Sequence, residues 1–331
     1  MNERTIKQVL TKKINQWTKT INDETVVKAI RKDLIITGGC FPSMILGDTP
    51  KDFDCYFRTK ETVLLVAQYY ADVWNEQNPD QVNRVNNHDA RVMVLDADNP
   101  SKEVLDSYGV TDLKDSAAIM VSNCDEGRVK MIFPSDGVVG DPEAANGSEE
   151  LGTPDIQEID EVNADYIIEK EKRPYFPVFI STNAITLSKG IQIVVRFYGE
   201  PDQIHETYDF VHTKAYFDIK KKKVEIPKEV YEATINKTLV YTGSKYPVCS
   251  VFRLRKFINR GWHINAGQML KICMQISDLD LQDINVLEDQ LIGVDSLYFM
   301  ALIQQFRRKQ DNDPDFKLST PYLVSIIDKI F

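Results

Sequence analysis

Residues 36–57 read ITGGCFPSMILGDTPKDFDCYF, and this stretch constrains the fold more than any other part of the chain. An apolar run ends in a Gly-Gly pair, which predicts a short buried strand followed by a turn. Pro42 suits the first turn of a helix, so the next residues predict a short helix. The segment DFDCYF then alternates like a strand and places Asp52 and Asp54 on one face.

The two aspartates allow two interpretations. Side chains two residues apart on a strand project in the same direction, roughly 7 Å apart, and two such carboxylates repel each other unless a divalent cation lies between them. Mg²⁺ (or Mn²⁺) is held by carboxylates together with phosphate oxygens, and a Gly38-Gly39 turn that opens a helix lets a phosphate approach the backbone, with Ser43 as a hydroxyl donor. The plainer alternative is a solvated strand face beside an ordinary glycine turn.

Charge is unevenly distributed along the 331 residues. The net charge is −10 and the pI about 5.1, which argues against a general nucleic-acid binder. Residues 134–165 contain many acids but no Lys or Arg, and we predict a long loop or insertion there. Residues 244–277 contain no Asp or Glu, and their cations are Lys245, Arg253, Arg255, Lys256, Arg260 and Lys271. A basic segment in an acidic protein is compatible with a local phosphate-binding site.

The cysteines and the apolar runs indicate a cytoplasmic protein. The five cysteines are odd in number, widely scattered and free of any CxxC pair, which favours reduced thiols and argues against a zinc site. No apolar run approaches the roughly 18 residues that a membrane-spanning helix needs, and the polar N-terminal pattern is not that of a signal peptide. We expect no contact with a membrane.

The periodicity predicts an α+β fold, with a mixed sheet and helices followed by an all-helical C-terminal region. Residues 1–226 would form a first domain with N-terminal helices and the acidic insertion near 134–165, and residues 227–331 a helical second domain. The four lysines at 220–223 are typical of a solvated hairpin turn. Helices are predicted in the second region at 228–240, 247–260, 266–277, 293–310 and 320–330.

The first segment resembles the head domain of the polymerase-β-type nucleotidyltransferases, especially the tRNA nucleotidyltransferase and poly(A) polymerase family. Residues that match the family pattern in kind and spacing are Gly38, Gly39, Leu46, Gly47, Pro50, Lys51, Asp52 and Asp54. The resemblance implies that Asp52 and Asp54 bind the catalytic metal, and that Gly38, Gly39 and Lys51 belong to the nucleotide site.

Two later segments resemble the same family. YDFVHTKAYFD resembles its later active-site strand and would make Asp209 a third metal-binding carboxylate, although a residue at a strand start also caps turns. SVFRLRKFINRGWHI resembles its neck helix. Arg253, Lys256 and Arg260 share a helix face there and would contact triphosphate or RNA backbone, the alternative being a solvated face.

Several positions depart from the family pattern. Pro42-Ser43 replaces an Arg-Asp pair, Thr207-Tyr208 replaces Arg-Arg, and Tyr246-Pro247 with Ser250 replaces the side chains that select bases. We therefore do not expect a CCA-adding enzyme. The segments NAITLSKGIQIVVRF and YTGSKYPVCSVFRLRKF also resemble phage-encoded nucleotidyltransferase-like proteins that have no settled substrate.

These resemblances lead to a first hypothesis and its rivals. The first is a metal-dependent nucleotidyltransferase that moves a nucleoside monophosphate from an NTP to a hydroxyl acceptor such as RNA or tRNA. The second is a catalytically quiet nucleotidyltransferase fold that serves a phage as a nucleotide-binding or interaction module. A third is a toxin or defence-counter enzyme that nucleotidylates host tRNA. The protein would lie in the cytoplasm, which is the host's cytoplasm if a phage encodes it. The identity of the NTP, the acceptor and the oligomeric state stay open.

Overall fold

The structure is a computed structural model of the full chain. It describes residues 1–77, 92–96, 129–132, 138–140, 174–181 and 183–291, together with residues 306, 319, 321 and 324. The chain divides into two compact units. The first comprises residues 1–204 and 215–226, and the second comprises residues 205–214 and 227–331.

The first unit is built on an eight-stranded mixed sheet and a separate two-stranded sheet. The strands are β1 (Leu34–Thr37), β2 (Phe53–Phe57), β3 (Met93–Asp96), β4 (Val129–Ile132), β5 (Val138–Gly140), β6 (Pro177–Ser181), β7 (Ala184–Leu187), β8 (Ile191–Val194), β9 (Tyr216–Asp218) and β10 (Lys223–Glu225). The order in the large sheet is β10-β9-β1-β2-β8-β7-β6-β5. A separate antiparallel pair joins β3 to β4. Strands β2 and β8 run parallel, whereas the other neighbours in the large sheet are antiparallel.

Capping and burial explain the helices of the first unit. Asn2 and Asp23 accept hydrogen bonds from first-turn backbone N–H groups and so begin the first two helices. Trp17 on the first helix donates from Nε1 to the Tyr70 hydroxyl on the fourth at 2.6 Å, and both side chains are buried. The helices are α1 (Glu3–Thr18), α2 (Glu24–Asp33), α3 (Cys40–Leu46), α4 (Lys60–Gln77) and the single turn α5 (Pro201–His205).

A buried ion pair fixes the sheet near β9. Asp218 is fully buried, and its Oδ2 lies 2.7 Å from Arg58 Nη2. Burial raises the pKa of Asp218, but the Lys221 backbone N–H and the Arg58 guanidinium outweigh it and hold this pKa below its ordinary value. Arg58 also binds Glu200 at 3.1 Å, so one arginine links three segments of this unit.

The second unit is mainly helical. Its regular helices are α6 (Lys228–Ile235), α7 (Pro247–Asn259), α8 (Ala266–Ser277) and α9 (Ile284–Leu291), and α7 packs against both α8 and α9. A short parallel ladder joins β11 (Thr238–Leu239) to β12 (His263–Ile264), and a 3-10 turn covers Val211–Thr213. In the described part of the chain, no helix is both long enough and apolar enough to cross a membrane.

The predicted fold class is confirmed: a mixed sheet with helices precedes a helical C-terminal region. The predicted helix at 228–240 is wrong in its second half, because the chain turns at Lys237 (φ 47°) and enters β11. The acidic insertion is not loop throughout, because residues 138–140 form the edge strand β5. The rest of residues 134–165 and most of the helices predicted at 293–310 and 320–330 lie outside the described residues, and the domain boundary at 226/227 stays a prediction.

Candidate functional site

The turn after β1 has a structural explanation. Gly38 has a φ of 86°, and a Cβ built on it would overlap Oδ2 of Asp54 and lie 3.1 Å from its Cγ. Asp54 is paired in register with Thr37, so the strand pairing brings its side chain to this turn. Only glycine fits a position that combines a left-handed backbone with so close a side chain. The glycine and the aspartate are therefore coupled by local packing.

The other parts of the predicted phosphate cradle lie close by. Gly39 is exposed and takes the N-cap position of α3 without a side-chain cap, and Ser43 donates its hydroxyl back to the Gly39 carbonyl at 3.2 Å. Asp52 is half-buried and directly precedes β2, and Lys51 beside it is exposed. The structure thus brings Gly38, Gly39 and Asp54 together at one turn.

Two buried thiols, those of Cys40 and Cys55, are electrostatically coupled to these carboxylates. Cys40 and Cys55 are buried, and burial raises the pKa of each thiol, with Asp54 adding to the effect at both positions. Asp52 also raises the pKa of Cys40. Both thiols are consequently held protonated, which disfavours a nucleophilic role.

Lys13 is a residue that sequence reasoning missed. Its Nζ donates to the carbonyl of Lys189 and lies 4.9 Å from the Phe53 ring centroid and 5.5 Å from that of Tyr175. Burial lowers its pKa. The only signal in the sequence was a lysine between apolar positions of α1, which is also the pattern of an ordinary surface lysine. Here it holds α1 against the β7–β8 hairpin.

In the second unit, Asp209 is paired with Arg253. Both Asp209 oxygens accept from Arg253 Nη1, at 2.9 and 2.7 Å. The Asp209 side chain is 7 % exposed and the Arg253 side chain 39 %. The pair links the segment before the 3-10 turn to the middle of α7. The residues predicted as a metal ligand and as a phosphate contact thus bind each other.

The remaining predicted cations are exposed. Lys256 lies in the last turn of α7, and Arg260 is its C-cap residue. Among the described residues, no group of three or more His, Cys, Asp or Glu side chains is placed to hold a metal ion. Asp52 and Asp54 belong to the first unit, and Asp209 with the three cations belongs to the second.

An aromatic cluster surrounds a buried histidine in the second unit. The His212 ring centroid lies 4.2 Å from that of Trp262 and 4.5 Å from that of Phe257. Neither His212 ring nitrogen has a hydrogen-bond partner among the described residues. Desolvation by burial lowers the pKa of His212 to about 3, so the ring is neutral at pH 7.

The fold and the site define a two-unit α+β protein. Its first unit carries Asp54 beside the turn at Gly38, and its helical unit carries the basic segment 244–277. Comparison with known proteins gives a more specific result. A family model described as "Gabija anti-defense 2 family protein" matches residues 8–237, and the chain belongs to that family.

A named relative supports the same assignment. The protein "Gabija anti-defense 2" of Bacillus phage SPbetaL7 is 21 % identical to this chain over 124 residues. The match covers 37 % of this chain and 30 % of the relative. This chain thus aligns with about a third of the length of that phage protein.

The assignment corrects the family inferred from motifs. The interpretation as a polymerase-β-type nucleotidyltransferase that acts on RNA was wrong, because the model that matches residues 8–237 is that of the anti-defense family. The motif residues have local structural reasons of their own. Gly38 adopts the left-handed backbone conformation of a turn beside Asp54. The alternation of DFDCYF buries Phe53 and Cys55, and Asp209 forms an ion pair with Arg253.

Proposed function

We propose that this chain is a phage anti-defence protein that acts as an interaction module and binds a component of the bacterial Gabija defence. Membership of the Gabija anti-defense 2 family over residues 8–237 carries the proposal. The relative from a Bacillus phage supports the phage origin of the role. Of the functions weighed from the sequence, the interaction module in a phage agrees best with these comparisons.

The ion pair between Asp209 and Arg253 supports binding rather than transfer, because each of these side chains is already engaged by the other. The defence-counter role weighed from the sequence agrees with the family, whereas its tRNA-nucleotidylating chemistry does not. That the chain is an enzyme and that it uses Mg²⁺ or Mn²⁺ both stay predictions, because the family description states an effect and not a reaction.

Plaque formation tests the proposal directly. Bacteria that carry a Gabija system and express this chain are infected with a phage that the system blocks, and cells with an empty vector are the control. We expect plaques to return to the number seen on bacteria without Gabija. Equal plaque numbers with the chain and with the empty vector, while the chain accumulates in folded form, would contradict the proposal.

A further inference from the structure

Helix α8 presents an uncharged face to solvent. Met269, Leu270 and Met274 are 46 %, 60 % and 62 % exposed, and Ile272 is the one buried residue of this helix. At about 100° per residue, seven exposed residues of α8 fall within a single arc of about 160°. None of the seven is charged, and they are Ala266, Gly267, Met269, Leu270, Cys273, Met274 and Ser277.

Hydrogen bonds on the opposite side of α8 fix its rotation. Gln268 Oε1 accepts from the Tyr241 backbone N–H at 3.0 Å. Gln275 Oε1 accepts from the Tyr241 hydroxyl at 2.6 Å, and Gln275 Nε2 donates to the Ser244 carbonyl at 2.5 Å. A rotation that buried the methionines would break these bonds, at a cost for each group left unpaired. The uncharged face is therefore held outward by the helix's own contacts.

The uncharged face is symmetric about the middle of the helix. The midpoint of α8 (Ala266–Ser277) falls between residues 271 and 272. Reversing the helix about this point exchanges Met269 with Met274 and Leu270 with Cys273. The small residues Ala266 and Ser277 exchange at the two ends. A second α8 that runs antiparallel thus sets large side chains against large ones and small against small. A two-fold contact requires this pattern, because residue i contacts j and j contacts i.

The two ends of α8 also complement each other in charge. Asp278 is the C-cap residue and Asp280 follows it, and both are exposed. At the other end, Asn265 is the N-cap residue and makes no side-chain capping bond, so the first N–H groups carry the partial positive charge of a helix start. In an antiparallel pair, Asp278 of each copy lies beside the start of the other α8. Lys271, the one cation of this helix, lies outside the uncharged arc.

We propose that two copies of this chain pair through their α8 helices, which run antiparallel and are related by a two-fold axis between residues 271 and 272. The inference does not depend on the proposed function. Two helices of 12 residues make a smaller contact than a standard interface, so the dimer should be reversible, with a dissociation constant on the order of 10 µM. An uncharged helix face has nothing to attract nucleic acid, whose binding depends on cations.

Sedimentation velocity over a concentration series tests the pairing. The purified chain is measured alone in reducing buffer from about 0.5 to 100 µM, a range that brackets the expected constant. Leu270→Glu with Met274→Glu should weaken association about tenfold or more. Tyr231→Glu with Ile235→Glu, on α6, is the matched control and should associate like wild type, because its side chains are 51 % and 49 % exposed on another helix. All four positions are exposed, so both variants should keep the wild-type melting temperature.

Disulfide cross-linking tests the register and direction of the helices. In a Cys124→Ser, Cys273→Ser background, the cysteines of the described chain that remain, Cys40, Cys55 and Cys249, are buried. Met269→Cys with Met274→Cys places two thiols that face each other across the antiparallel pair, and copper phenanthroline should oxidise them to a covalent dimer. Met269→Cys alone is the control. Its thiols lie about five residues apart along the antiparallel pair and should not link.

The outcomes decide between this pairing and its alternatives. A monomer at 100 µM, or wild-type association by the Leu270→Glu, Met274→Glu variant, would overturn the inference. Efficient cross-linking of Met269→Cys alone would show parallel helices and overturn the antiparallel arrangement. Maleimide should label Cys273 in dilute monomer of the Cys124→Ser chain. Failure to label would show that another segment of the same chain, such as residues 292–331, covers the face, and the inference would be wrong.

Discussion

Arg253 Nη1 donates to both carboxylate oxygens of Asp209, a residue whose own side chain is only 7 % exposed. The backbone carbonyl of Asp209 in turn accepts from the Thr242 N–H at 2.8 Å. One acidic residue thus joins three segments of the second unit. A buried carboxylate depends on its partner more than a half-exposed guanidinium does, because water can still hydrate the guanidinium.

This asymmetry predicts unequal effects of removing the two partners. Arg253→Ala leaves a buried charge without its cation and should lower the free energy of unfolding by about 1.5–3 kcal/mol. Asp209→Asn should cost less, because Arg253 remains 39 % exposed to solvent. Urea unfolding of both variants and of the double variant measures the coupling. An Asp209→Asn cost larger than that of Arg253→Ala would contradict the account.

The buried His212 predicts acid sensitivity. The pKa of His212 in the folded chain is about 3, below the ordinary value of about 6.5. Between these pH values the unfolded chain binds a proton at this histidine and the folded chain does not. This contribution is complete above about pH 6.5 and is lost as the pH falls toward 3. At pH 5 it should amount to about 2 kcal/mol of lost stability.

The check is urea unfolding of wild type and His212→Phe at pH 7 and pH 5. Phe removes the titrating ring but keeps an aromatic side chain beside Phe257 and Trp262. Whatever the absolute stability of the variant, its loss between the two pH values should be smaller than that of wild type. Identical losses would show that His212 is not the responsible group.

Gly38 and Gly39 form a matched pair for the turn after β1. In Gly38→Ala, the alanine would have to adopt a φ of 86° and its Cβ would overlap the Asp54 carboxylate. The substitution should therefore destabilise the fold by about 1–3 kcal/mol. Gly39 has a φ of −62° with nothing within 4 Å of a built Cβ, so Gly39→Ala should stay near wild type. Thermal unfolding of the two variants decides, and equal effects would remove the steric argument for Gly38.

Helix α8 exposes its methionines, whereas its glutamines are hydrogen-bonded to the rest of the second unit. It therefore makes a prediction opposite to that for an ordinary amphipathic helix. Gln275→Met removes hydrogen bonds to Tyr241 and Ser244 and should cost about 1–3 kcal/mol, although it adds an apolar side chain. Met274→Gln should change stability by less than about 0.5 kcal/mol, because Met274 is 62 % exposed. If calorimetry found the larger loss for Met274→Gln, α8 would be rotated relative to this structure.

Sequence reasoning succeeded where the spacing of apolar residues alone decides between a strand and a helix. The alternation in DFDCYF and the apolar run before Gly38 predicted β2 and β1, and helix 266–277 was predicted at its observed bounds. It could not predict which face of α8 is buried, because hydrophobicity favours the methionines and the structure buries the side with the glutamines instead. That choice depends on Tyr241 and Ser244, which lie more than twenty residues earlier in the chain.

The candidate site shows the same limit in a different form. Gly-Gly followed by Asp-x-Asp was interpreted as phosphate and metal chemistry, yet the same residues also suit a left-handed turn and a largely buried strand. The pairing of Asp209 with Arg253 joins residues 44 positions apart, and nothing in the local pattern indicates it. Function was therefore misassigned where a short motif had two physical explanations.

The most direct test of the central claim is sedimentation velocity of the purified chain mixed with purified Gabija proteins, without nucleotide and with EDTA present. A binding module needs neither metal nor NTP, so we predict a single faster-sedimenting complex that contains both. If the components sediment separately under these conditions while the same chain restores plaques in cells, the chain does not act by binding alone, and the account is contradicted.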